Sequence, residues 1–489
     1  MVPSGSGFKR LTTFAERCLE FSRRLAVGPL AGRALLGLAL IVGAALRLHD
    51  LGAVSMTADE GAAWAVAAEP VSRLLQLQPQ LDSGKLALYD LVLHYWMRLF
   101  GDRLGSIRGL SAALGVVAIG LIFLVVRELS EGFGTREGRT AERAAALAAL
   151  LLATNVGLVQ SARWARMYPL VTAAGLAHMF FFLRAHHRQA LRNCLLSALF
   201  LALAIAANFT AVFLIVGESI WLACLRIGRA KNASDLKIET SAPALSLVGG
   251  LLLLCPFAPG ALAASQAAVR GGALDWIPYH PPLQWSCEVL RDSVGNKSLF
   301  RILAGLSVLG LWRGCETRDR APFFLALVMV GCFTTVAVLS ALIKPLMVER
   351  YVIMAPVAFL AMAALGTIAL RSRIAGTVVF LLIAWLSLRA LRHWSGFWVD
   401  WRGAAVVACT HSPRNAAIGV VPGYAVNAVR YHLPPERRAL ALGIESGCGT
   451  SQLLLLSRGR PLSAQYVSQL EVCYPHVVGQ SIRVEVRAR

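Results

Sequence analysis

The feature that most limits this chain is a series of uncharged apolar runs, each about as long as the hydrocarbon core of a bilayer is thick. A helix needs about 20 apolar residues to cross a membrane, with roughly 17 tolerated. Runs at 109–126, 144–160, 167–183, 242–264, 321–343 and 351–370 qualify. Residues 193–225 hold one charge, Glu218, over a length that would reach about 50 Å as a single helix, too long for one crossing. That stretch reads as two short spans turning near 208–210. Weaker spans lie at 34–47, between Arg33 and Arg47; at 299–313, with Arg301 snorkelling at its outer end; and at 374–390. About eleven spans are expected in a mainly α, polytopic helical membrane protein.

Composition fits that reading: 57% of residues are hydrophobic and 15% charged, against about 25% charged in a soluble domain. A soluble globule, a disordered chain and a disulfide-rich mini-scaffold are excluded. The formal net charge of +21 would suggest nucleic acid in a soluble protein. Here the basic residues sit between apolar runs, and Lys and Arg are about twice as dense in one alternate set of connecting segments as in the other. This is positive-inside topology, with the bilayer and not nucleic acid as partner. Residues 1–33 then form a basic cytoplasmic arm, 34–393 the transmembrane domain with a long first outer loop at 48–108, and 394–489 a small α/β domain outside. In that tail, strand-length apolar runs at 416–421, 453–457 and 482–486 alternate with helix-like stretches at 424–431 and 464–473. Cys287, Cys409, Cys448 and Cys473 fall outside, where disulfides form, and Cys448 with Cys473 is a candidate pair.

With sidedness assigned, the unusual polar residues gather on the outer face. The first outer loop holds Asp59 and Glu60, then Asp82 and Lys85, then an amphipathic stretch over 86–100 that contains Tyr89. The turn between the third and fourth spans carries Arg163, Arg166 and Tyr168; a later loop carries Trp276; the tenth span opens on Glu349, Arg350 and Tyr351. Each has a plain structural alternative. Thr57-x-x-Glu60 is a capping box, single basic residues snorkel, and single aromatics join an interfacial belt. Glu218 lies near an inner end and can reach the cytoplasm, and His186-His187 suits a solvated inner loop. Metal-ligand spacings, nucleotide-binding glycine loops and nucleophile elbows do not occur.

The combination suits one chemistry. A sugar carried on a polyprenyl phosphate needs a carboxylate to take the acceptor's proton, cations to hold the phosphate leaving group, and a groove for the lipid. The same residues resemble the polyprenyl-phosphate-sugar-dependent, GT-C fold glycosyltransferases, a broad family of protein O-mannosyltransferases, lipid A aminoarabinose transferases and rhizobial-type galacturonosyl transferases. The strings are Leu46-Arg47-Leu48 followed by Asp59-Glu60; Leu88-Tyr89 through His94-Tyr95-Trp96, Leu99-Phe100-Gly101 and Ser106-Ile107-Arg108; Ala165 to Leu170; Trp276 to Pro278; and Arg350-Tyr351 running into Ala355-Pro356. They keep the family's order over 34 to about 370.

The resemblance implies Asp59 as general base of an inverting transfer, supported by Glu60. It implies Lys85, Arg163, Arg166, Tyr168, Arg350 and Tyr351 around the donor phosphate, and Tyr89 and Trp276 in the substrate cavity. The prolines that some members carry after the lysine are absent from Lys85-Leu-Ala-Leu88, and the histidine often found between the fifth and sixth spans is replaced by Asn208-Phe-Thr210. No cofactor is implied. Use of a divalent metal stays open, because a metal and an arginine cluster can each neutralise a leaving phosphate. The acceptor would be a hydroxyl on a lipid, glycan or protein outside a bacterial inner membrane. A transporter or flippase for a lipid-linked sugar is the rival reading, since it would use the same basic aromatic cavity without a base. A binding scaffold is a third, and leaves the acidic pair unexplained.

Overall fold

The computed structural model describes residues 31–133, 138–228, 233–272, 274–370, 372–392, 400–411, 417–421, 423–443, 453–457 and 483–485. Nineteen α-helices and four strands are assigned there. They begin with α1 Ala31–Leu48, α2 Ala58–Ala67, α3 Val71–Leu81, α4 Leu88–Phe100, α5 Leu104–Gly132, α6 Arg139–Thr154, α7 Val156–Ala162, α8 Tyr168–Arg188, α9 Leu191–Ala207 and α10 Phe213–Gly228. They continue through α11 Ala233–Leu252, α12 Ala258–Arg270, α13 Pro282–Val294, α14 Lys297–Thr317, α15 Ala321–Leu342, α16 Met354–Ile368, α17 Arg373–Arg392, α18 Trp401–His411, β1 Ala417–Val421, α19 Val426–His432, β2 Ala441–Gly443, β3 Leu453–Ser457 and β4 Arg483–Glu485.

Every apolar run expected to span the membrane coincides with a helix or helix pair. Among the described residues, five helical segments are long and apolar enough to cross when taken singly, and a sixth if the bent pair α6 and α7 counts as one. That pair corrects the expected continuous span at 144–160. The chain bends by 63° at Asn155, whose side chain accepts from Leu158 N at 3.0 Å and so caps a second helix. The expected turn near 208–210 is present. Asn208 is extended, ends α9, and accepts from Thr210 N at 2.9 Å. Leu86 N donates to Ala206 O and Phe209 N to Gly84 O, which joins this turn to the Lys85 segment of the outer loop.

Small residues let the helices approach closely. The buried core helix α16 is rich in alanine, and a Cβ on its Gly366 would stand 1.8 Å from Leu306 O of α14. In lipid, where the hydrophobic effect gives helices little reason to associate, such backbone-to-backbone packing supplies much of the attraction. Two polar expectations change. Glu218 does not reach the cytoplasm: it is fully buried, 2.9 Å from His178 Nε2, because an unpaired carboxylate there is costly. His186 and His187 are not in a loop. They end α8, with His186 buried and His187 Nδ1 3.3 Å from Glu128 Oε1.

In the tail, the strands run parallel in the order β2-β1-β3-β4, with Ile418 paired to Ala441 and Leu454, and Leu456 to Val484. Helix α19 covers most of the stretch expected at 424–431. Cys448, Cys473, the stretch at 464–473 and nearly all of the basic arm lie outside the described residues.

Candidate active site

The segment between α1 and α5 folds into three short helices because its apolar residues recur at helical spacing while its polar residues cap and pair. Helix α2 starts at the capping box read in the sequence: Glu60 N donates to Thr57 Oγ1 at 3.3 Å, and Thr57 N to Glu60 Oε2 at 2.9 Å. Glu60 does more than cap. Fully buried, it takes Arg108 Nε and Nη2 of α5 in a bidentate pair at 2.7 and 2.8 Å and accepts from Ala165 N at 2.9 Å. Arg108 spends its other protons on the carbonyls of Leu51, Val54 and Ser55. Glu60 is therefore a structural anchor turned away from solvent, a correction to its expected place among the catalytic groups. It fixes the helix that carries its neighbour.

That neighbour, Asp59, faces a cavity of about 290 Å³ lined also by Asp82, Arg166, Tyr168, Asn208, Trp276, Arg350 and Tyr351. Asp59 is half-exposed and its Oδ2 accepts from Arg350 Nη1 at 3.1 Å. Arg166 Nη1 donates to Asp59 O at 3.2 Å and its Nη2 to Asp82 Oδ2 at 2.9 Å. Residues 291 positions apart in sequence thus meet at one carboxylate. The Nε atoms of Arg166 and Arg350 are buried and have no hydrogen-bond partner among the described residues. Two guanidinium groups lining one cavity suit a phosphate.

A second cavity of about 410 Å³ shares Tyr168, Trp276 and Arg350 with the first and adds Gln160, Trp164, Asp292 and Glu349. The Arg350 guanidinium lies 5.8 Å from the centre of the Trp276 ring, at the junction of the two.

Three expected contacts are not at the cavity. Lys85 is buried with its Nζ 2.9 Å from the Asp90 carboxylate and 3.5 Å from Asp82, too far inside to meet a ligand. It holds Asp82, which in turn holds Arg166. Burial pushes the Asp82 carboxyl up, but the Lys85 ammonium and Arg166 guanidinium outweigh it and leave the group below its ordinary value. Tyr89 is fully buried; its hydroxyl lies 2.9 Å from Ser111 Oγ, which donates to Arg166 O. It supports the arginine turn from behind. Arg163 points to the end of α1, donating to the carbonyls of Leu46 and His49 at 2.9 and 2.6 Å. The cluster also includes groups to which the sequence reading gave no role: Asp82, Asp90, Arg108 and Asn208. Their signal was present as an acidic residue three before Lys85 and another five after it, but only the fold shows which charge meets which.

Comparisons with known proteins bear on the fold that carries these residues. Residues 87–259 match the model of the dolichyl-phosphate-mannose-protein mannosyltransferase family, about a third of the chain. No curated protein sequence matches. Among solved structures, ArnT from Cupriavidus metallidurans bound to undecaprenyl phosphate is similar at a TM-score of 0.53 and 12% identity, over 90% of this chain and 87% of that one. The Archaeoglobus fulgidus oligosaccharyltransferase tethered to an acceptor peptide is similar at 0.53 and 12% identity, over 86% of this chain and 65% of that one. The same archaeal enzyme, AglB, in complex with an inhibitory peptide and a dolichol-phosphate, is similar at 0.51 and 12% identity. This chain spans less than two thirds of the archaeal enzyme's length. The chain is a polytopic helical membrane protein whose fold is similar to that of ArnT and of the archaeal oligosaccharyltransferase. It is similar in this to the glycosyltransferases that its sequence strings already resemble.

Proposed function

We propose that this protein is an inverting membrane glycosyltransferase that moves one sugar from a polyprenyl phosphate to a hydroxyl of a lipid, glycan or protein. Transfer takes place on the outer face of a bacterial cytoplasmic membrane, with the basic arm inside and the C-terminal domain outside. The observation that carries this reading is the Asp59 carboxylate at 3.1 Å from Arg350, at a cavity that Arg166 also lines. A base and two cations share one space.

In the reaction, the acceptor oxygen attacks the anomeric carbon while its proton passes to Asp59. The carbon–oxygen bond to phosphate breaks, the bonding pair leaves with the oxygen, and polyprenyl phosphate departs with inversion at the sugar. As Asp59 is neutralised by the proton, its hold on Arg350 weakens, and that guanidinium turns to the charge growing on the phosphate. Base and leaving-group stabiliser are thereby coupled through one ion pair. The 410 Å³ cavity beyond Arg350, with two tryptophans, two amides and two carboxylates, suits a hydroxyl-rich group. The two carboxylates of the smaller cavity, Asp59 and Asp82, are each held by an arginine, and no three His, Cys, Asp or Glu side chains converge among the described residues. No step here is routed through a metal.

The test is release of polyprenyl phosphate from a panel of polyprenyl-phosphate sugars by purified protein, with Asp59→Asn beside wild type. Release by wild type alone supports the reading. Donor binding without release, even with membrane extract as acceptor source, would mean a carrier and not an enzyme.

A further inference from the structure

The helix that carries Asp59 has two faces with different neighbours. At 100° per residue, positions 59 and 62 point together, and both line the smaller cavity. Positions 61 and 64 point the opposite way and meet α19 of the C-terminal segment. The approach there is close: a Cβ on Gly61 would stand 2.4 Å from Ala428 N and 2.8 Å from Asn427 C, both backbone atoms. Trp64 packs edge-on against Tyr431, with ring centres 5.1 Å apart, and Arg438 lies 5.4 Å over the same indole. Tyr431 also donates to Asp102 O at 2.9 Å.

The segment leading into α2 is held by the same tail. His432 Nε2 accepts from Met56 N at 3.2 Å and lies 3.2 Å from Ser55 Oγ. Arg402 N donates to Ser55 Oγ at 3.0 Å, and Arg402 Nη2 to Gly52 O at 2.8 Å. Residues 52–56 immediately precede the Thr57 cap. The tail therefore holds both the start of α2 and its rear face, while Arg108 and Glu60 tie it to the membrane bundle.

We infer that α19 and His432 form a positioning element for Asp59, so that the C-terminal segment sets where the base stands relative to Arg350. This rests on the glycosyltransferase reading for its kinetic consequence, though the clamp itself is a statement about geometry. Neither His432 nor Gly61 lines either of the two cavities at Arg350; His432 lines a separate cavity with Gly52, Arg402 and Tyr431, and both residues act on Asp59 through α2. Restoring an ordinary contact of about 3.4 Å at Gly61→Ala requires α2 and α19 to part by about 1 Å, and misplacement of that size at a reacting centre costs on the order of 10²-fold in rate.

The experiment uses the full-length protein in detergent. Gly61→Ala is expected to lower kcat by about 10- to 100-fold, with KM for the polyprenyl-phosphate sugar within about threefold, because the phosphate-binding arginines lie on other elements. His432→Ala is expected to lower kcat in the same sense. His432→Gln, whose amide oxygen can accept from Met56 N, recovers most of it. Wild-type kcat in Gly61→Ala would overturn the inference, as would equal losses in His432→Ala and His432→Gln. So would a loss of kcat matched by an equal loss of donor affinity. A readout without turnover separates the two claims: hydrogen exchange of the amides at 56–62 is expected to quicken in His432→Ala and return with His432→Gln. If wild type releases no polyprenyl phosphate, the enzyme reading fails, and exchange still judges the clamp; unchanged exchange in His432→Ala refutes it.

Discussion

Glu60→Gln is the most informative single change, because two accounts of Glu60 disagree about it. The substitution keeps the shape of the side chain and removes its charge. In the structure Glu60 accepts four hydrogen bonds, two of them from the Arg108 guanidinium, and Arg108 is as buried as its partner. Leaving one member of such a pair without its counter-charge costs about 3–5 kcal/mol. The amide nitrogen would also face two donors, Arg108 together with the N–H of either Thr57 or Ala165, so two buried donors go unsatisfied at about 1–3 kcal/mol each. These costs overlap, and a loss of about 3–5 kcal/mol stands for both. Thermal unfolding in detergent, followed by intrinsic fluorescence, is expected to show a midpoint well below wild type. Arg108→Met is expected to be similarly harmful, since it strands three backbone carbonyls as well as Glu60. The double variant should cost less than the sum of the two, because neither buried charge is then left alone. A catalytic carboxylate behaves differently: its removal abolishes turnover and leaves stability unchanged or improved. If Glu60→Gln unfolds with wild type but cannot turn over donor, the anchoring argument is refuted.

Other outcomes follow from the same geometry. Asp59→Asn should abolish release of polyprenyl phosphate while moving stability by no more than about 1 kcal/mol, the value of a half-exposed ion pair; a strongly destabilised variant would contradict the cavity-facing placement. Arg350→Ala removes a charge-assisted contact of about 1.5–3 kcal/mol, so binding of polyprenyl phosphate measured by calorimetry should weaken roughly 10- to 100-fold, and unchanged affinity would exclude Arg350 from the phosphate site. Arg163→Ala should leave that affinity unchanged, since its guanidinium holds the carbonyls of Leu46 and His49; a tenfold loss would restore it to the site. The tail should also respond to pH. Burial, with the Arg402 and Arg108 guanidinium groups, pulls His432 down to about 4 against its ordinary 6.5, outweighing Asp400 and Glu60. Between those values the unfolded chain binds a proton that the folded one does not, so the His432 contribution is complete above about pH 6.5 and is lost as pH falls towards 4. Unfolding midpoints of wild type should fall across that window more steeply than those of His432→Gln, and parallel curves would refute the assignment.

Much of the architecture was legible in the sequence because the bilayer imposes a length and a polarity on every crossing. That is why uncharged runs such as 109–126 and 321–343 fall on the helices α5 and α15, and why the two-span reading of 193–225 locates the break at Asn208. The bend at Asn155 was hidden, since an asparagine inside an apolar run reads as an isolated polar residue until its side chain is seen capping Leu158 N. The sequence reading also gathered residues that the fold brings together: Asp59, Arg166, Tyr168, Trp276, Arg350 and Tyr351 all line one cavity.

What composition and order could not assign was the partner of each charge. Lys85 and Arg166 look alike in sequence, one basic residue each on an outer loop. One is closed off by Asp90 and Asp82, and the other lines the cavity. Asp59 and Glu60 are adjacent, but a helix turns by 100° between them, which sends one carboxylate to the cavity and the other to Arg108. Burial, hydrogen bonding and charge pairing are relations between residues tens to hundreds of positions apart, so they exist only once the helices are packed. The sequence by itself determined that the chain is a membrane protein and where its apolar helices run, because transfer of each segment into lipid is a local property of that segment. Tertiary structure alone decided which of the polar groups can meet a ligand and which hold the others in place.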